Sequence, residues 1–63
     1  MIKLSENEQW EQDVTRLIAE ELECTNSEAQ GIVEAQSFYI SQAWGMNVSP
    51  EGAIIHLKKK GVL

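Results

Sequence analysis

Sixty-three residues leave room for one domain and a thin core, because a chain this short buries only about 60% of the surface its unfolded form exposes. Cys24 is the only cysteine, which excludes an internal disulfide and fits a reducing compartment; no apolar run approaches the roughly 18 residues of a membrane helix, and residues 1–6 lack a signal-peptide core, so a soluble, cytoplasmic protein is expected. The net charge of −5 is divided unevenly: residues 1–34 carry nine acidic against two basic side chains, whereas residues 35–63 set Glu51 against Lys58, Lys59 and Lys60. That division argues against nucleic acid binding over the whole surface and leaves an acidic face suited to a basic partner.

The first predicted helix covers residues 6–23. Ser5 and Glu8 have the spacing of a capping box. Trp10, Val14, Leu17, Ile18 and Leu22 share an arc of roughly 120° at helical pitch. Gln9, Gln12, Asp13, Arg16, Glu20 and Glu23 occupy the other side. Thr25 and Glu28 repeat the capping-box spacing, with Cys24 and Ala29 placed as a small hydrophobic staple. The connection is short, so the second helix is a neighbour of the first.

That second helix is predicted over residues 26–44. Ala29, Ile32, Val33, Ala35, Tyr39, Ile40, Ala43 and Trp44 spread over about 180° of its circumference, wider than one neighbour requires. It is therefore expected to be the long central element. Gln36 falls inside the apolar arc and needs either hydrogen-bond partners or a gap between neighbours. Phe38 falls outside it. Gly31 hints at a close backbone approach or a bend, and Gly45 is the expected left-handed stop.

Ser49-Pro50-Glu51 opens the third helix, predicted over residues 50–60, with its lysines at the end that favours cations and Gly61 as its stop. The expected fold is an all-α three-helix bundle, a single domain over residues 1–63. Its predicted core is Trp10, Val14, Leu17, Ile18, Leu22, Ile32, Val33, Tyr39, Ile40, Ala43, Trp44, Ile54 and Leu57.

Candidates for chemistry are sparse. His56 and Cys24 are the only histidine and thiol, and no local motif joins them into a nucleophile–base pair. They do not form a recognisable ligand set with the scattered carboxylates, and no glycine-rich phosphate loop is present. No enzymatic activity, metal or cofactor is expected.

Residues 39–63 resemble a helix-turn-helix or winged-helix segment. Ile40-Ser41-Gln42-Ala43-Trp44-Gly45 is followed by a short turn, the Ser49-Pro50 helix start and the closing Lys58-Lys59-Lys60-Gly61-Val62-Leu63. The resemblance implies a DNA-binding regulator whose recognition helix spans residues 49–60, with His56 near bases and Lys58, Lys59 and Lys60 toward phosphates. The chain departs from that pattern in its reading face, Glu51, Gly52, Ile55 and His56, which offers no arginine, asparagine or glutamine for bidentate base contacts.

A protein-interaction module is the leading expectation. Phe38 and Ile55 are apolar residues the bundle does not need, Met46 and Val48 lie in a loop, and Glu34 stands beside Phe38 on the back of the second helix. With an acidic rim from the first helix, they suit another protein or a second copy of the chain.

Overall fold

A computed structural model describes residues 6–63. It contains four helices: α1 (Glu6–Leu22), α2 (Asn26–Ala35), α3 (Ser37–Gly45) and α4 (Pro50–Lys59), with no strand among the described residues. The all-α expectation holds. The three-helix count does not, because the segment expected as one long central helix is broken at Gln36.

The helix starts follow their local signals. The capping box expected at Ser5 lies outside the described residues. At α2 the box is complete: Glu28 N donates to Thr25 Oγ1 at 3.1 Å, and Thr25 N donates to Glu28 Oε1 at 3.2 Å. Cys24 and Ala29 flank it as half-buried and buried members of the core. At α4, Ser49 Oγ accepts from Gly52 N at 3.2 Å and Pro50 takes the first turn, where its missing N–H costs nothing.

Three helices end alike. Glu23, Asn47 and Gly61 each adopt positive φ, 53°, 60° and 75°. The residue after each donates back across the end: Cys24 N to Ala19 O at 2.9 Å, Val48 N to Ala43 O at 3.5 Å, and Val62 N to Leu57 O at 3.1 Å. These are Schellman closures, in which the residue beyond the left-handed position tucks an apolar side chain onto the last turn. Cys24, Val48 and Val62 are all partly buried against the core. Gly61 is the predicted stop. Gly45 is not: it remains inside α3, and Asn47, which tolerates the left-handed region better than most side chains, turns the chain two residues later.

Gln36 separates α2 from α3. Its φ of −106° and ψ of 29° leave the helical region, where ψ is near −42°. The ladder nevertheless continues through it: Gln36 N donates to Ile32 O at 2.9 Å, and Ile40 N donates to Gln36 O at 3.0 Å. The break resolves the wide apolar arc. Ala29 and Val33 belong to α2, which packs on α1, whereas Ile40 and Ala43 belong to α3, which packs on α4. The expected central helix thus becomes two pieces with different partners. Gly31 has open space around it, so neither a close approach nor the bend lies there.

α1 takes the middle position instead, packing on both α2 and α4. Trp10, near its start, donates from Nε1 to Val48 O at 2.8 Å, just before α4 begins. Near its end, Glu21 pairs with Lys58 at the end of α4. The two helices therefore run in the same sense, although they are far apart in sequence.

The core is built from Trp10, Val14, Ile18 and Ala19 of α1; Ala29 and Val33; Ile40 and Ala43; and Ala53, Ile54 and Leu57 of α4. Four alanines stand among these eleven residues, which lets the short helices approach closely. Leu17, Ile32 and Tyr39 are half-buried at its edge. Two predicted core residues are exposed: Leu22 at 43% and Trp44 at 38%. Leu22 is the residue immediately before left-handed Glu23, where the chain turns away. Trp44 stands edge-on to Trp10, with ring centroids 5.3 Å apart at 64°, and only part of its ring is covered.

Candidate functional site

Reactive side chains are dispersed. Cys24 is a free, half-buried thiol packed against the core. His56 is half-buried and turned toward α3: its Nε2 lies 3.3 Å from Gln42 Oε1, and its ring is 6.3 Å from that of Tyr39. Among the described residues, no group of three or more His, Cys, Asp or Glu is placed to hold a metal ion. No described helix is long and apolar enough to cross a membrane.

The residues singled out for DNA do not act together. Lys58 reaches across to Glu21 of α1, His56 faces Gln42, and only Lys59 and Lys60 extend from the end of α4 without an ion-pair partner among the described residues. Glu51 is exposed on the first turn, where the family pattern would meet a nucleic acid.

The interaction candidates fall in separate places. Phe38 is 67% exposed and stands edge-on to Tyr39 at 5.3 Å and 72°. Met46 is exposed in the α3–α4 turn, whereas Val48 is half-buried against the core. Glu34 lines a polar cleft between α1 and α2, of about 570 Å³, with Glu8, Glu11, Asp13 and several glutamines. A smaller cleft beside it reaches Trp44. There the Asn7 amide, oriented to satisfy both neighbours, accepts from Trp44 Nε1 at 3.1 Å and donates to Glu11 Oε2 at 3.2 Å.

Ile55 is the candidate that the fold sets into a groove. It is 55% exposed. α1 contributes Leu17, Glu20 and Glu21 to that groove, and α4 contributes Glu51, Ile54 and Ile55. The floor is aliphatic and both banks are acidic. Its volume of about 320 Å³ is at the small end of ligand sites. Its length follows from the helices: residues 17–21 on one side and 51–55 on the other each span only about 6 Å at 1.5 Å per residue. An open depression of that length accepts one or two aliphatic side chains.

Glu20 and Glu21 also conflict with their local setting. The last turn of α1 has no basic residue, yet it carries these two carboxylates, with Glu23 following. Negative charge at a helix C-terminus costs roughly 0.3–1 kcal/mol per group. Lys58 offsets one of them.

Ile55 and the acidic residues of α1, singled out in the sequence, line this groove, whereas Phe38, expected to share a patch with Ile55, does not. Sequence reasoning missed Leu17 and Ile54 as groove floor, because both lie on inward stripes and were assigned to the core. The local signal that points to this end of the molecule is the run Glu20-Glu21-Leu22-Glu23, acidic where a helix prefers cations. No protein-family model, curated protein or solved structure matches this chain, so the functional reading stands on its own residues.

Proposed function

We propose that this protein is a small non-enzymatic interaction module that docks a protein partner in the groove between α1 and α4. The observation that carries this reading is Ile55: a large aliphatic side chain 55% exposed beside Leu17 and Ile54, enclosed by Glu20, Glu21 and Glu51. Small domains gain stability when a partner covers such a side chain, and an acidic rim gives orientation and a faster encounter. A single cysteine fits a reducing, cytoplasmic setting, and the small size and acidity suit a regulator or inhibitor.

The test is affinity capture from the source cell with wild-type, Ile55→Asp and Phe38→Asp proteins, each verified by far-UV circular dichroism. The groove reading expects a partner that is retained by wild type and Phe38→Asp and lost with Ile55→Asp. If every captured protein survives Ile55→Asp, the groove is not the docking site.

DNA binding through α4 is a second reading, supported by exposed Lys59 and Lys60 on a helix that follows a tight turn. It has to contend with Glu20, Glu21 and Glu51 beside Ile55, which repel phosphate. A mobility shift of mixed duplex DNA at low salt, abolished by Lys59→Glu and Lys60→Glu, is its signature. Without a shift that reading is finished.

A further inference from the structure

Resting on the α1–α4 groove as the docking site, we infer that its occupant is a basic amphipathic helix of another protein, with one or two aliphatic anchors flanked by lysine or arginine one turn away. Three observations select this chemistry.

The floor of Leu17, Ile54 and Ile55 requires an apolar anchor, and the short groove limits it to one or two side chains. The banks hold three carboxylates, Glu20, Glu21 and Glu51. Lys58 pairs with Glu21, and Glu20 and Glu51 make no ion pair among the described residues. Leu17, Glu20 and Glu21 lie in the last two turns of α1, whose C-terminal dipole adds negative potential along that bank, whereas Glu51 stands in the first turn of α4. Glu20, Glu21 and Glu23 increase that potential. This is a local arrangement that costs folding stability, as recognition sites do. A helical occupant presents anchors at i and i+3 or i+4 with cations one turn away, matching a groove with acids on both banks.

A second copy of this chain fits poorly. Its net charge of −5 repels an identical molecule. Its lysine-rich segment, residues 58–63, ends in Val62 and Leu63, which are already packed against the core.

The probe is a synthetic peptide of about 16 residues, long enough for measurable helicity, with leucines along one face and lysines elsewhere. A twin carries glutamates in place of the lysines, and a third peptide scrambles the first to destroy its apolar face. Each is titrated into the full chain labelled with ¹⁵N and followed by amide chemical shifts.

The inference expects the basic amphipathic peptide to shift Leu17, Glu20, Glu21, Ile54 and Ile55 and to bind at least about tenfold more tightly than either control. The affinity should fall with salt, and by about tenfold in the Glu20→Lys/Glu51→Lys variant. If the glutamate twin shifts the same amides equally or better, the groove stands and the basic occupant is refuted. Should the basic peptide instead move residues of the α1–α2 cleft, or no peptide move the groove, the groove itself fails as the docking site. Groove shifts that grow with protein concentration and no peptide make a second copy the occupant and overturn the inference.

Discussion

Two glycine-to-alanine substitutions test the packing most directly, because the structure assigns them opposite signs. A Cβ built on Gly52 lies 2.9 Å from Val48 Cβ and 3.5 Å from Val48 Cγ2, whereas one on Gly31 meets nothing within 4 Å. Both glycines are helical and neither has positive φ, so alanine brings each a propensity gain of up to about 1 kcal/mol. At Gly31 nothing opposes that gain. At Gly52 the contact is between Cβ atoms, which no rotamer change relieves, and overpacking costs about 1–3 kcal/mol. Val48 yields reluctantly, because its carbonyl accepts from Trp10 Nε1 at 2.8 Å and its N–H closes α3 on Ala43 O.

Gly31→Ala is therefore expected to stabilise by about 1 kcal/mol and Gly52→Ala to destabilise by about 1 kcal/mol. For a domain this small, about 1 kcal/mol moves Tm by roughly 4–8 °C. Thermal melts followed by far-UV circular dichroism read both shifts. In a Val48→Gly background the clashing Cβ is gone, and Gly52→Ala should become neutral or favourable, a coupling measured by a double-mutant cycle. If Gly52→Ala raises Tm as Gly31→Ala does, the close approach of α4 to the Val48 turn is refuted.

Trp10→Phe removes the donor to Val48 O and leaves that carbonyl short of a partner, at a cost of about 1–3 kcal/mol in urea denaturation; Trp44→Phe should cost less, since Trp44 is 38% exposed. Glu23→Gly should stabilise by up to about 1 kcal/mol in the same assay by relieving a left-handed side chain, and Asn47→Gly by less, because asparagine adopts that region more readily. Lys58→Gln breaks an ion pair whose two side chains are nearly half exposed, so it should change stability by less than about 1 kcal/mol, with the difference vanishing in high salt. Ile55→Asp should lower stability by no more than about 1 kcal/mol, because the side chain is 55% exposed but the new carboxylate joins Glu20, Glu21 and Glu51.

The helix starts were legible because each is decided within about four residues. Thr25 with Glu28 and Ser49 with Pro50 make their contacts locally, whatever lies farther away. The break at Gln36 was not. Its backbone hydrogen bonds continue the helical ladder, and the segment reads as one amphipathic stretch. The pieces on either side of it pack on different helices, α2 on α1 and α3 on α4, a tertiary demand that no local pattern states. The α3 end shows the same limit: Gly45 and Asn47 can both turn left-handed, and the choice goes to the one that seats Val48 under Trp10. Leu22 and Trp44 lie on inward arcs, but helical spacing gives an angle and not the reach of a neighbour.

The groove illustrates both the reach and the limit of local reading. Periodicity places Leu17 and Ile54 inward and Ile55 outward, but only the parallel course of α1 and α4 gathers all three into one depression. No pattern in 63 residues specifies that course, since it depends on the crossover through α2 and α3. The acids behave differently. Glu20, Glu21 and Glu23 oppose the dipole of their own helix wherever α4 lies, so their conflict is visible in the sequence alone. One local ion pair, Lys58 with Glu21, leaves most of it standing. If that conflict served only solubility, acids could occupy any exposed position of α1 at no cost. Acids do line the first half of α1, at Glu6, Glu8, Glu11 and Asp13, but Glu20 and Glu21 stand in its last turn, where they destabilise, beside an exposed isoleucine, and that is the reason to test this surface first.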